Sequence, residues 1–488
     1  MEHYFEFYRQ NTIGHHLRFQ SPYGEKQLIY ADWIASGRLY QPIEEKVCNE
    51  IGPWVANTHT ETSETGTMMT KAYHLAQKLI KQHVNAGPKD VLITNGFGMT
   101  SVINKLQRIL GLKFCGRLFN GNCLGTSDRP VVFITHMEHH SNHTSWLETI
   151  AEVVIVGHTP ELLVDLNDLR AKLHEHRDRH LKIGSFTACS NVTGIITPYH
   201  QLARVMHENG GICFIDFAAS APYVDINMHP ADPMEKLDAI FFSPHKFLGG
   251  PGTSGIMVFD SALYHNRVPD QPGGGTVDWT NPWGEYKFVD DIEAREDGGT
   301  PGFLQAMRCA LTIDLKNSMG TDNIHRREQQ LVKKGLYGLR AVPNLHILAD
   351  NIENRLGIIS FYLEGLHYNL VVKLLNDLFG IQVRGGCACA GTYGHILLDV
   401  SYEKSKRITE KINFGDLSEK PGWIRLSLHP TMTDAELDTV FEALHYISAN
   451  YKKLEVDYVY NKHKNEFRHK LEPDDKTDRV TSWFSLAR

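Results

Sequence analysis

No stretch of the 488-residue chain approaches the ~18 consecutive apolar residues that a membrane-spanning helix needs. The longest apolar runs, such as Pro130 to Ile134 and Val153 to Val156, have the length of strands. At the N-terminus, MEHYFEFYRQNTIGHH lacks a basic segment followed by an apolar one, so it does not read as an export signal. Positive charge is not in excess: 57 acidic residues outnumber 50 basic ones for a net charge of −7, which disfavours a nucleic-acid partner. Eight cysteines in a chain this long are too few and too scattered for a disulfide scaffold, and Cys213 and Cys309 read as small core hydrophobes. There is no internal repeat and no low-complexity tract. These absences leave a soluble cytoplasmic enzyme, with neither membrane nor nucleic acid as partner, as the expectation.

What is present is ordinary globular composition, 42% hydrophobic and 22% charged. At ~150 residues per domain the length fits about three units, or one large enzyme body with a smaller companion. Short β-branched runs at Val91 to Thr94, Val131 to Ile134, Val153 to Val156, Cys213 to Ile215, Ile240 to Phe242 and Ile256 to Phe259 alternate with helix-like segments. That alternation predicts an α/β fold with a mostly parallel sheet. Val102, Ile103, Leu106, Ile109 and Leu110 recur at helical spacing and stop at Gly111. Residues 270 to 302, rich in Gly and Pro, are expected to form ordered loops near a site or interface. A second pattern has strands at Gly357 to Tyr362, Ile381 to Arg384 and Trp423 to Leu428, and helices at Tyr368 to Leu378 and Asp434 to Tyr451. The expected organisation is an N-terminal segment 1–29, a large domain 30–320, a smaller α/β domain 321–455 and a partly docked polar tail 456–488.

The most informative segment is Ala239 to Gly252, AIFFSPHKFLGGPG. Lys246 follows a buried apolar strand and precedes a Gly/Pro turn, where desolvation would free its amine for imine chemistry. Ser243 and His245 beside it offer donors to an anion; the bland alternative is a surface lysine capping a loop. Asp216 ends the strand Cys213 to Ile215, where α/β sheets place ligands, and could hold a pyridinium N–H or serve only as a cap or ion pair. Asn95 to Ser101, with glycines and the hydroxyls of Thr100 and Ser101 at a helix start, suits a phosphate but matches neither dinucleotide nor triphosphate fingerprints. The run of His136, His139, His140 and His143 lacks the carboxylate or thiol that would complete a metal set, so stacking of one imidazole on an aromatic cofactor is preferred to a metal site. Cys387 and Cys389 stand in RGGCACAGTYG, where a thiolate beside Arg384 has the makings of a nucleophile; a CxC contribution to metal binding is the alternative. Arg425 could fork onto a carboxylate or form a structural ion pair.

Taken in order, GMTSVIN, MEHHSNHTSW, SNVTG, IDFAAS, SPHKF, GGGT, GGTP, VRGGCACAG and IRLSLHPT resemble the aminotransferase class V family, in its cysteine desulfurase and selenocysteine lyase branch. The resemblance runs from about Tyr30 to Tyr451. It implies a pyridoxal-phosphate enzyme of fold type I, with a seven-stranded type of sheet and a smaller C-terminal domain. Lys246 is then the covalent attachment point of the cofactor, Asp216 the partner of its pyridine nitrogen, and His139 the ring-stacking, proton-handling residue. Asn191 matches a residue near the cofactor's O3′ and the substrate carboxylate. Thr100, Ser243 and His245 match phosphate contacts, in a loop where Met99 replaces a hydroxyl residue. Thr276 matches a phosphate contact made from the partner subunit, which implies a homodimer. Arg425 matches the carboxylate anchor and Cys389 the cysteine that receives sulfur, with a sulfur-acceptor protein as a further partner. Three further features depart from the pattern. Ala219 stands where Gln is usual in Asp-x-Ala-Gln, Cys387 adds a second thiol that could pass sulfur on or trap Cys389, and Asn57 to Thr60 looks closer to the amino-terminal domain of molybdenum cofactor sulfurases. The implied reaction is removal of sulfur from L-cysteine, or a close sulfur or selenium analogue, to give alanine and a protein persulfide. The alternatives are another class V activity (aminotransferase, C–S lyase or epimerase) and, remotely, a non-catalytic scaffold that retains the fold.

Overall fold

The computed structural model describes residues 1–113, 125, 127–472 and 476–486. Its centre is a seven-stranded sheet of β1 (Asp90–Asn95), β2 (Val131–Thr135), β3 (Glu152–Val156), β4 (Lys182–Thr187), β5 (Ile212–Asp216), β6 (Ala239–Phe242) and β7 (Gly255–Asp260). The spatial order is β1-β7-β6-β5-β4-β2-β3. β7 pairs antiparallel with both β1 and β6, while the other neighbours are parallel. The other six strands therefore end at one edge of the sheet. Alternate residues point to opposite faces, as a period of two requires. Val131, Phe133, Ile240 and Phe242 enter one core, and Val132, Ile134 and Phe241 enter the other. Helices cover both faces, which is why β2 and β6 read as unbroken apolar runs.

β4 is wholly buried yet escaped the apolar-run reading, because KIGSFT is diluted by Gly, Ser and Thr. Gly184 is there for close packing: a Cβ would stand 2.4 Å from the Phe186 ring and 2.9 Å from Met206. The Gly/Pro-rich region 270–302, expected as loops, also contains a hairpin, Val277–Thr280 with Tyr286–Phe288, and a short helix, Ile292–Arg295.

A second, antiparallel sheet holds β8 (Leu345–Ile347), β9 (Ile358–Leu363), β10 (Arg384–Gly386) and β11 (Trp423–Ser427) in the order β8-β9-β11-β10. Helices Thr321–Arg340, Tyr368–Phe379 and Asp434–Leu454 pack with it, the last opened by a reciprocal capping box between Thr433 and Glu436. The segment expected as one strand at Ile381 to Arg384 divides at Val383. Ile381–Gln382 pairs in parallel with Ile29–Tyr30, whereas Arg384–Gly386 pairs with β11. Phe5, Ile29 and Trp33 accordingly share one core with Leu331, Leu374 and Ile424. The tail forms a hairpin, Tyr458–Asn461 with Glu466–His469. It docks on helix Tyr368–Phe379, where Asn369 Nδ2 donates to Asn465 O at 2.6 Å and Tyr458 Oη to Asp377 Oδ2 at 3.0 Å.

Candidate active site

A cavity of about 410 Å³ opens at the carboxyl ends of the parallel strands, where the chain leaves the sheet and side chains from different strands converge. Lys246, in the short turn Pro244–Lys246 after β6, stands over Asp216 at the end of β5. Its amine has no hydrogen-bond or ion-pair partner among the described residues. Burial, reinforced by Arg425 and Arg384 and opposed by Asp216, holds it at about 8 instead of 10.5. Asp216 is 4% exposed, and Oδ1 accepts the Ala218 N–H at 2.8 Å. Burial raises its carboxyl to about 6, against the pull of that N–H and of Lys246. The Lys246 turn is clamped from outside by Gly37, whose N–H donates to His245 O at 2.9 Å. A Cβ on Gly37 would lie 1.8 Å from Phe247 O, so only glycine allows this approach.

One end of the cavity is a cradle for an anion. Between β1 and helix Met99–Ile109 the chain turns through Gly96 and Gly98. Met99 N donates to Ser243 Oγ at 2.9 Å and His245 Nδ1 donates to Phe97 O at 2.8 Å. Thr100 Oγ1 lies 2.6 Å from Ser141 Oγ. The Met99 side chain is buried in the core, so its contribution here is its main chain.

His139 caps helix His140–Leu147, with Nδ1 accepting the Ser141 N–H at 3.1 Å. That bond places the ring proton on Nε2. Burial and the charge of Lys246 hold the imidazole near 3, hence neutral. The preceding Glu138 fixes this corner: it accepts from Thr135 Oγ1 at 2.7 Å, Thr187 N at 2.8 Å and Asn142 Nδ2 at 2.8 Å. The four histidines of this run serve separate purposes. His136 bonds Leu162 O, His139 caps, His140 accepts the Gly391 N–H at 3.0 Å, and His143 faces Thr392. Among the described residues no group of His, Cys, Asp and Glu is arranged to hold a metal.

The opposite wall comes from the second sheet. Arg425 on β11 is 4% exposed and donates from Nη2 to Asp32 Oδ1 at 3.0 Å and from Nη1 to Asn191 O at 3.2 Å. Asp32 also accepts from Arg384 Nε at 3.0 Å, so one carboxylate holds two guanidiniums side by side. Arg425 Nε and Asn191 Oδ1 belong to residues lining the cavity, are buried, and have no hydrogen-bond partner among the described residues. The loop after β10 carries Cys389 to the cavity rim, with Ala388 at φ 48° and Cys389 at φ 56°. This left-handed conformation costs non-glycine residues ~1–2 kcal/mol each. Asn191 Nδ2 donates to Ala388 O at 2.7 Å and His140 N to Cys389 O at 2.7 Å, and these bonds hold the loop in place.

The sequence profile described as Aminotransferase class-V matches residues 29–440. The chain belongs to that family. A probable cysteine desulfurase of Halalkalibacterium halodurans is 27% identical to it over 373 residues, 74% of this chain and 84% of that protein. Another from Staphylococcus epidermidis is 26% identical over 370 residues, 75% and 84% of the respective chains. In three dimensions the apo structure of a cysteine desulfurase from Thermococcus onnurineus NA1 matches with a TM-score of 0.69 at 24% identity, covering 87% of this chain and 95% of that one. The fold is the type I architecture of this class-V family.

Of the site residues read from sequence, Met99, Thr100, His139, Asn191, Asp216, Ser243, His245, Lys246, Cys389 and Arg425 line this single cavity. Thr276 does not: it lies outside, with its hydroxyl turned onto Gly273 O at 2.7 Å. Glu138, Ser141 and the Asp32 bridge received no role from sequence. Ser141 lay inside the quoted histidine run, and Asp32 two residues beyond the start of the class-V resemblance, but only long-range pairing reveals their work.

Proposed function

We propose that the chain is a pyridoxal-phosphate-dependent cysteine desulfurase that releases alanine and leaves sulfur on Cys389. The observation carrying this reading is that Cys389, on a loop of the second sheet, is held at the rim of the cavity that contains Lys246 and Asp216. Similarity to probable cysteine desulfurases over three quarters of the chain supports it.

The residues present fit the cofactor. Lys246 has a partly neutral, unpartnered amine to hold it covalently, and Asp216 has a carboxylate oxygen free for a ring N–H. Thr100, Ser243 and His245, with the Met99 main chain, form the phosphate cradle, and His139 offers a neutral ring for stacking. Asn191 Oδ1 is a buried acceptor awaiting a donor. When bound, the cofactor supplies an electron sink that acidifies the substrate's Cα–H and weakens its bond to sulfur. Arg425 binds the substrate carboxylate, because its Nε is unsatisfied and its position is fixed by Asp32 and Asn191. Lys246 Nζ, near 8, takes a proton from Cα and returns one. Cys389, held at the rim of the same cavity, attacks the substrate's sulfur and takes it as a persulfide.

The active unit in this reading is a cytoplasmic homodimer that passes sulfur to an acceptor protein. An exposed apolar groove of about 730 Å³ supports the dimer: Trp54, Met68, Leu75 and Leu79 face Met307 and Leu311 between helices Glu64–His83 and Phe303–Met319. Phe97, 81% exposed at the cavity mouth, is another apolar group that a second copy would cover. Thr276 is buried with its hydroxyl held by Gly273, so serving the partner's phosphate requires that bond to open in the dimer.

Incubation of the holoenzyme with L-cysteine should yield alanine, and Cys389→Ser should abolish that release while retaining the bound cofactor's visible absorption. Full alanine release by Cys389→Ser would move the assignment to a simple C–S lyase or an aminotransferase.

A further inference from the structure

The cysteine loop is a wall between two cavities. On the inner side lies the 410 Å³ site of Lys246. On the outer side lies a groove of about 700 Å³ between helix Tyr368–Phe379, β10 and the tail hairpin. Cys389 lines both spaces, whereas Cys387 lines only the outer one. Their surroundings differ accordingly: Cys389 lies within electrostatic range of Arg384 and Arg425, and Cys387 within range of Tyr368. The loop is not free to carry sulfur across by swinging outward, since His140 and Asn191 hold the carbonyls of Cys389 and Ala388 at 2.7 Å.

Among the described residues, basic side chains outnumber acidic ones in the lining of the outer groove. Lys373, Lys476 and Arg384 line it but are engaged by Glu472 and Asp32. Lys420 and Lys464 also line it and have no ion-pair partner among the described residues, and Glu466 is the sole carboxylate in the described lining. Two ammonium groups without an ion-pair partner among the described residues, lining the same groove as the Cys387 thiol, select a ligand that carries negative charge beside its own sulfur.

We propose that Cys387 is a relay thiol: it takes the terminal sulfur from the Cys389 persulfide and hands it to an anionic thiol acceptor bound in the outer groove. This rests on the desulfurase reading above. In the first step the Cys387 thiolate attacks the terminal sulfur, forming a new S–S bond. The old bond to Cys389 Sγ breaks, and its electron pair leaves Cys389 as thiolate. The terminal sulfur keeps its proton, and neither oxidant nor reductant is consumed. An acceptor thiolate then repeats the exchange at Cys387, leaving with the sulfur as its own persulfide and regenerating the Cys387 thiolate.

The test uses the holoenzyme given limiting L-cysteine without acceptor, quenched with N-ethylmaleimide and mapped by tandem mass spectrometry. Wild type should carry sulfane sulfur on both cysteines. Cys387→Ser and Cys387→Ala should carry it on Cys389 alone, release the first alanine at the wild-type rate, and transfer sulfur to 3-mercaptopropionate about tenfold more slowly. Lys420→Glu should reduce the preference for 3-mercaptopropionate over cysteamine. Sulfur confined to Cys389 in wild type, or wild-type transfer by both Cys387 variants, would mean direct attack on Cys389 and overturn the relay alone. If wild type yields neither alanine nor persulfide, the desulfurase reading falls and the relay falls with it.

Discussion

Lys246 should make the apo protein less stable than it would be without it. Its amine is charged near neutral pH in both the folded and unfolded chain, but the fold accommodates that charge poorly, as the lowering from 10.5 to about 8 records. That displacement corresponds to about 3 kcal/mol of penalty on the charged form. Part of it is returned when the lysine is removed, because Lys246 also favours the Asp216 carboxylate, which would otherwise lie still higher than about 6. Lys246→Met, which keeps the length of the chain without the charge, is therefore expected to stabilise the apo protein by ~1–2 kcal/mol near pH 7. The sign of the pH dependence follows from proton counting. A depressed lysine destabilises fully below its folded value, and the penalty is relieved as pH rises from about 8 toward 10.5, at up to ~1.4 kcal/mol per pH unit. Urea denaturation of both apo proteins, from about pH 7 to about pH 9.5, reads this directly. The gain should be largest at the acid end and shrink steadily toward the alkaline end. A variant less stable than wild type at pH 7, or a gain indifferent to pH, would refute the claim that desolvation lowers the amine.

Asp216, raised to about 6, offers its carboxylate only above that pH, so cofactor affinity should fall as pH drops through 6. Absorbance titrations with pyridoxal phosphate should show that limb in wild type and a flat, weak response in Asp216→Ala. Gly37→Ala would drive a Cβ to 1.8 Å from Phe247 O and must displace the Lys246 turn. A loss of ~3 kcal/mol in denaturation midpoint analysis is expected, together with poor borohydride trapping of cofactor on Lys246. Asp32→Asn frees two guanidiniums from their shared anion, so KM for L-cysteine should fall while kcat falls about tenfold, because Arg425 binds the carboxylate but no longer in one place. Steady-state kinetics that show both constants unchanged would deny Asp32 a positioning role.

Legibility in the sequence followed distance along the chain. Lys246, Asp216 and Thr100 stand at strand ends or helix starts, so local periodicity marks them as candidates, and the roles given to them come from the ordered class-V resemblance. β4 was missed because packing against Phe186 and Met206 demanded Gly184 in mid-strand, which erased the apolar run. Asp32 was missed for the opposite reason: nothing near it is unusual, and its meaning comes from Arg425, 393 residues away. Val383, which divides one apparent strand between two partners, is likewise invisible without knowledge that Ile29–Tyr30 arrives beside it.

That arrival has a consequence for how the enzyme is made. Ile29–Tyr30 finds its strand partner at Ile381–Gln382, and Asp32 finds its cations at Arg384 and Arg425. At ~5–20 residues per second, a ribosome leaves Asp32 waiting for roughly 20–80 s before Arg425 has been added, and the central sheet forms within that wait. In the later part of that interval Lys246 has been made, while Arg384, Cys389 and Arg425, which complete its pocket, have not. Completion is tied to the emergence of β11, so a chain that ends before it lacks the wall that buries the Lys246 amine. The site is therefore completed only late in synthesis, when the two distant segments meet.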